Sequence, residues 1–259
     1  MDVEAYLSRI EYDGPRQPSP ETLRGIHRQH LYTVPFENLD ITLGNRIELE
    51  PELLYDKIVV RRRGGFCYEL NGLFHELLVA LGFQSSMLSG CVRREDGGFG
   101  AEFDHMLLKV ELPEPWLADV GFGESFVDPL PLKAGAEEVE NGYLFGVIPE
   151  NSGWELFRRD SDGVQVPLYR FSDVRRELQD YAEMCKYHQT SPESSFTRRR
   201  ICTMALPDGR VTLAGMRLII TKGGKRREMV LEDEKDLRRC LETWFAVELA
   251  ATEYSRLAH

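Results

Sequence analysis

The stretch from Arg61 to Gly72, RRRGGFCYELNG, runs two glycines and an aromatic residue straight into a cysteine at what reads as a helix start. Backbone N–H groups and the helix dipole at an N-terminus stabilise a thiolate, and a lowered thiol pKa makes a cysteine nucleophilic near neutral pH. Gly64 and Gly65 allow a sharp turn and the close approach of another backbone or a ligand. The opposing reading makes Cys67 one more small, buried, apolar residue, as most lone cysteines are. The local sequence leaves both open.

A cysteine nucleophile needs a base within hydrogen-bond reach, and the base needs a third group that fixes its tautomer and stabilises its charged form. Six histidines are available. His27 and His30 lie on a predicted amphipathic helix, as surface or satisfied core residues. His75 is about two helical turns beyond Cys67, too far for contact. His188 falls in a polar loop, and His259 is the last residue. His105 stands apart, because it follows a loop containing Gly97, Gly98 and Gly100 and heads the apolar run Met106-Leu107-Leu108. Asp119 closes the next apolar run, just before Gly121-Phe122-Gly123. Antiparallel strands joined through Pro113-Glu114-Pro115 would set residues near 105 and 119 across from one another. Taken singly, Asp119 reads as a turn aspartate and His105 as a polar strand end. With Cys67 they make one constellation in the order Cys, His, Asp.

The elements that must position these residues follow from periodicity. Apolar residues recur at helical spacing over 2–10, 21–32 and 52–60, with Ser19-Pro20-Glu21 as a helix start. Asn71 to Leu81 continues that pattern and ends on Gly82. Beyond Gly82 the period shortens: 86–93, 105–112 and 116–120 read as strands of a small barrel or sandwich running to about Phe171. A helix is expected over 172–186, then a hairpin of 201–206 with 211–221 turning at Pro207-Asp208-Gly209, and a last helix over 234–245.

The bulk composition narrows the function classes. At 259 residues, with 42% hydrophobic and 29% charged residues, the chain has enough apolar material for a sizeable core. A net charge of -11 argues against a polyanionic partner. The basic runs Arg61-Arg62-Arg63, Arg198-Arg199-Arg200 and Lys225-Arg226-Arg227 lack interleaved aromatic platforms, so no nucleic-acid role is expected. Five scattered cysteines form no CxxC pair, which points to reduced thiols and no metal. No run is long enough to span a membrane, and a cytoplasmic location is expected.

Four blocks resemble the arylamine N-acetyltransferases: HLYTVPFENLDI (30–41), RRRGGFCYELNGLF (61–74), DHMLLKVELPEPWLADVGFG (104–123) and HQTSPESSF (188–196). The resemblance implies an α+β fold with a cysteine-protease-like catalytic core. An N-terminal helical bundle (1–83) would carry the cysteine, a central β-barrel (84–190) the histidine and aspartate, and a C-terminal α/β lid (191–259) would follow. It implies ping-pong transfer of an acetyl group from acetyl-CoA, a co-substrate, to a small aromatic amine or hydrazine. Cys67 matches the acetyl-accepting nucleophile, His105 the base and Asp119 the third triad member. Phe36, Phe122 and Phe196, with Val92 beside them, match positions lining the acceptor pocket. Glu37 and Arg63 match a structural salt bridge bracing the nucleophile segment.

For the coenzyme, Phe103 and the backbone of Gly121 and Gly123 are the expected contacts. Some relatives carry a hydroxyl and a glycine near the end of the loop before the histidine. Here it reads Ala101-Glu102-Phe103-Asp104, which leaves the coenzyme contacts open. Two rivals share the residue set: a cysteine peptidase or transglutaminase-like enzyme, and a non-catalytic binding protein. The oligomeric state is not legible.

Overall fold

The computed structural model describes residues 1–140 and 142–258; His259 lies outside the described residues. Helix α1 (Val3–Arg9) begins where the Asp2 carboxylate accepts the Ala5 N–H, and α2 (Pro20–Thr33) where the Ser19 hydroxyl accepts that of Thr22. After a short strand β1 (Phe36–Glu37) come α3 (Leu39–Leu43) and α4 (Pro51–Tyr55), which runs into one π-helical segment over Asp56–Val60. Helix α5 (Cys67–Ala80) starts at the cysteine, as the RRRGGFC segment implies and four residues before the periodic stretch 71–81, and Gly82 follows its end at φ +88°. Its leading turn, CYEL, is buried all round, so it shows no polar face to betray a helix.

The middle of the chain supplies β2 (Gln84–Val92), β3 (His105–Glu111), β4 (Pro115–Ala118), β5 (Leu130–Pro131), β6 (Glu137–Glu140), β7 (Tyr143–Glu150), β8 (Gly153–Arg159) and β9 (Gln165–Arg176). They form one antiparallel, barrel-like sheet in the order β5-β4-β3-β2-β9-β8-β7-β6. One set of side chains, including Leu107, Leu117, Phe126, Val147, Leu156 and Tyr169, makes its own core. The alternate set, including Met106, Leu108, Val110 and Ala118, packs against Phe74, Leu77 and the other N-terminal helical residues. The period-two alternation of β3 therefore serves two cores at once.

The expected helix over 172–186 gives way to a strand and a shorter helix. β9 continues to Arg176, where Met87 of β2 pairs with it, and only after a turn over Leu178–Tyr181 does α6 (Ala182–Thr190) begin. Cross-strand pairing overrides the helical composition of that stretch. Helix α7 (Ser195–Arg198) follows.

The C-terminal part is a five-stranded sheet, β1-β10-β11-β12-β13, built from β10 (Ile201–Leu206), β11 (Gly209–Ala214), β12 (Arg217–Lys222) and β13 (Lys225–Val230). The expected long strand over 211–221 is two strands turning at Gly215 (φ +59°). Helices α8 (Glu234–Phe245) and α9 (Ala251–Ala258) cover one face with Leu237, Leu241, Phe245 and Leu257. Among the described residues, no helix is long and apolar enough to cross a membrane.

Candidate active site

Cys67 is the first residue of α5, preceded by extended Phe66. The Phe66 N–H is accepted by Glu69 Oε2 at 3.1 Å, which ties the first turn to its own entry. Gly64 packs so close to β1 that a Cβ would lie 2.0 Å from the Pro35 carbonyl oxygen. Gly65 bridges Phe36, and its carbonyl accepts the Glu37 N–H at 2.9 Å. The glycine pair thus lets the loop before Cys67 lie flush against the PFEN segment.

Beneath that loop lies a buried ion cluster. Arg63 donates to Glu37 Oε1 from both Nε (3.0 Å) and Nη2 (2.8 Å) and reaches Asp40 Oδ1 at 3.3 Å. Lys57 Nζ lies 2.7 Å from both Asp40 Oδ2 and Glu69 Oε1. Burial pushes the Asp40 carboxyl up, but Lys57 and Arg63 outweigh it and hold the group down at about 2. Burial also opposes charge on the two cations, and the carboxylates around them raise both above their ordinary values. With three carboxylates against two cations, Glu69 goes the other way: burial lifts its carboxyl despite Lys57.

His105 heads β3, and its Nε2 lies 2.8 Å from Asp119 Oδ2. The β3–β4 ladder ends with Leu108 paired to Ala118, and its register extended would set His105 opposite Gly121. Asp119 reaches the imidazole diagonally from just beyond the strand. Its carboxylate takes four donors: His105 and the Tyr169 hydroxyl (2.9 Å) on Oδ2, and Asn71 Nδ2 (2.9 Å) and the Gly121 N–H (3.0 Å) on Oδ1. Burial pushes this carboxyl up, but His105 and these hydrogen bonds win and keep it below its ordinary value. An ionised Asp119 holds the proton on His105 Nε2 and leaves Nδ1 as the basic nitrogen.

Cys67 and His105 share the wall of one cavity of about 740 Å³. Burial raises the Cys67 thiol well above its usual value, with Asp119 and Asp104 adding to the effect and a backbone hydrogen bond from Met106 opposing it. Ionisation requires a proton acceptor, and His105, whose Nδ1 is left free of Asp119, lines the same cavity.

The family model described as N-acetyltransferase matches residues 19–254. The chain is 34% identical over 252 residues, 89% of its own length and 87% of the other's, to the arylamine N-acetyltransferase pineal gland isozyme NAT-10 of Gallus gallus. The solved structure of arylamine N-acetyltransferase from M. tuberculosis superposes with a TM-score of 0.92, at 30% identity and full coverage of both chains. That from Mycobacterium marinum in complex with CoA gives 0.90, at 31% identity over 99% of this chain and 98% of the other.

The chain belongs to the arylamine N-acetyltransferase family.

Of the other residues singled out in the sequence of this arylamine N-acetyltransferase, Phe36, Val92, Phe122, Phe196, Gly121 and Gly123 all line the same cavity. The Phe36 and Phe196 rings are 6.1 Å apart, and Phe122 stands edge-on to His105 at 5.1 Å. Phe103 is not among the lining residues. It turns at φ +67°, with its ring against Tyr181 and the Arg176 guanidinium, its N–H bound to Ser89 Oγ and its carbonyl to the Tyr68 hydroxyl.

Sequence reasoning overlooked three supporting side chains. Asn71, one helical turn after Cys67, donates to Met106 O (2.7 Å) and Asp119 and accepts the Val120 N–H (2.9 Å). Tyr169 comes from β9, 50 residues beyond the aspartate it serves. His27, expected to be an ordinary helix histidine, accepts the Asp119 N–H on Nε2 (3.0 Å) and sets Nδ1 2.6 Å from the Val127 carbonyl oxygen. Burial lowers its pKa and keeps it neutral, the only form that can accept that N–H. Only Asn71 left a trace in the sequence, through its i,i+4 spacing from Cys67. His188 is in α6, not a loop; it is buried, lines the cavity and sits 3.2 Å from Asp104 Oδ1.

Proposed function

We propose that this chain transfers an acetyl group from acetyl-CoA through an acetyl-Cys67 intermediate to a small aromatic amine or hydrazine. His105 Nδ1 takes the thiol proton as the sulfur attacks the thioester carbonyl. Coenzyme A departs with that proton, and the acetyl group stays on Cys67. The amine then attacks the acyl-cysteine, His105 accepts its proton, and the freed thiol recovers it. Asp119 orients the ring and stabilises its charged form throughout. The unpaired amides at the start of α5 favour the oxyanion. The observation that carries this reading is one cavity lined by Cys67 and His105, with Asp119 fixed on the far nitrogen of the imidazole.

The aromatic walls of Phe36, Phe122 and Phe196 favour flat, apolar acceptors, because ring contacts and apolar burial act together. Gly121 and Gly123, on the cavity wall, offer backbone to the donor; Phe103 packs behind that wall on Tyr181. We divide the chain into a helical segment (1–83) carrying the nucleophile, a barrel segment (84–190) carrying the base, and an α/β lid (191–259), with a core arranged as in cysteine proteases. Five free cysteines suit a reducing compartment such as the cytoplasm.

Incubation with acetyl-CoA followed by intact-mass measurement tests the reading. The expected result is a gain of one acetyl group that is absent in Cys67→Ala and is discharged by an aromatic amine. An unmodified protein that instead cleaves peptides would replace it with the peptidase reading.

A further inference from the structure

The cavity is much larger than a single aromatic amine requires, and its wall away from Cys67 is one face of the C-terminal sheet. Register places two rows of side chains on that face. Thr203, Thr212 and Ile219 form one, in line with Phe36; Arg210, Thr221 and Arg226 form the next. All of these side chains line the cavity.

Arg210 is the unusual member. Its Nη1 donates to the Gly123 carbonyl and lies 3.4 Å from Thr203 Oγ1. No carboxylate lies within ion-pair distance of it among the described residues; Glu124 and Glu140 act on it only through space. A partly buried guanidinium without a counter-ion is costly, and its fork geometry suits a bidentate oxyanion. The other cations on the wall are already engaged. Arg158 stacks on Tyr143 and sits 3.6 Å from Glu124, and Arg226 is held by Glu228 at 2.6 Å.

Resting on the acetyl-CoA reading above, we propose that Arg210, with Thr221 and Arg226 beside it, binds the phosphate groups of the acyl donor. Neighbouring strands are about 4.8 Å apart, so the row spreads two guanidiniums and a hydroxyl over roughly 10 Å. That span fits a ligand with several phosphates better than a single carboxylate. The row leads from the buried β11 to the exposed edge strand β13, so the donor enters with its thioester toward Cys67 and its nucleotide toward the edge. Because Arg210 also grips the Gly123 carbonyl, it ties donor binding to the turn that follows Asp119.

The test is the acetylation half-reaction, followed by intact mass, with acetyl-CoA and with S-acetylpantetheine, which carries the same thioester and no phosphate. Arg210→Gln should lower kcat/KM for acetyl-CoA roughly 10- to 100-fold and leave S-acetylpantetheine within about twofold. Arg210→Lys should fall between, and Arg226→Gln should lose less, since Glu228 already competes for that guanidinium. An equal loss with both donors would mean that Arg210 only supports the Gly123 turn. Unchanged donor kinetics, with a selective loss for acceptors bearing a carboxylate, would assign the anion to the acceptor instead. If neither donor acetylates the unaltered protein, the acetyltransfer reading fails together with this inference. If S-acetylpantetheine acetylates every variant while acetyl-CoA is insensitive to Arg210, this inference alone fails.

Discussion

Cys67 and His105, the proposed nucleophile and base, are braced by opposite means. Beneath Cys67 lies a cluster of five buried charges, with Lys57 and Arg63 between Glu37, Asp40 and Glu69. Behind His105 a single carboxylate is surrounded by neutral donors from Asn71, Tyr169 and Gly121, with neutral His27 behind it on the Asp119 amide. The difference follows from what each side must do. The nucleophile segment is a glycine-bearing loop that must be pressed onto its neighbours, and paired charges fasten it in one register. The base must change charge during the reaction, so the charge facing it has to be fixed and lone.

The contrast predicts where function and stability separate. The largest effect on turnover is expected for Asp119→Asn. All four partners of the carboxylate donate, so the new amide NH₂ must face either His105 and Tyr169 or Asn71 and Gly121. Facing His105, it forces the proton onto Nδ1 and removes the base from Cys67. Single-turnover acetylation should slow by about 10³- to 10⁴-fold with little change in folding; a loss under tenfold would refute the assigned tautomer.

Arg63→Ala should do the reverse. Leaving Glu37 and Asp40 without their guanidinium should cost about 3 to 5 kcal/mol of stability, read by urea unfolding, while the folded fraction keeps most of its acetylation rate. Normal stability with lost activity would make Arg63 part of the chemistry and dissolve the contrast.

The smallest effect is one of pH. His27 and His30 are fully buried, and burial lowers the pKa of both from 6.5, with Arg9 adding to the effect at His30. The unfolded chain binds protons that the folded one refuses. Stability is therefore complete above pH 6.5 and declines as pH falls below it, by up to about 1.4 kcal/mol per pH unit for each histidine held neutral. His30 has no hydrogen-bond partner for either nitrogen among the described residues. His30→Phe should accordingly be nearly neutral at pH 7.5 and should make the slope between pH 6.5 and 5 shallower, leaving the contributions of His27 and of the half-buried His75. An unchanged slope would place the acid sensitivity elsewhere.

Legibility in the sequence followed the range of the interactions. Cys67 announced itself through adjacent glycines, His105 and Asp119 through the ends of two neighbouring strands, and Glu234–Phe245 through unbroken periodicity. The failures were all long-range. The stretch to Arg176 is a strand because β2 lies beside it, and Tyr169 reaches Asp119 only once the sheet has curled. Phe103 borders the histidine loop in sequence, yet packing against Tyr181 draws it out of the cavity. Burial acts against the thiolate at Cys67, an effect that local sequence does not carry.

Asn71 has a consequence for modularity. It sits on the helix that begins with Cys67, and all three of its bonds go to the barrel: two to backbone groups, one to the Asp119 carboxylate. A chimera joining the first 83 residues of one family member to the barrel of another would therefore inherit the alignment of Asp119 through two side chains, the Asn71 amide and the His27 imidazole. A mismatch of a few tenths of an ångström across that seam would misplace Asp119 and the turn after it together, so exchanging halves at residue 83 is a severe test of how rigidly the two parts are matched.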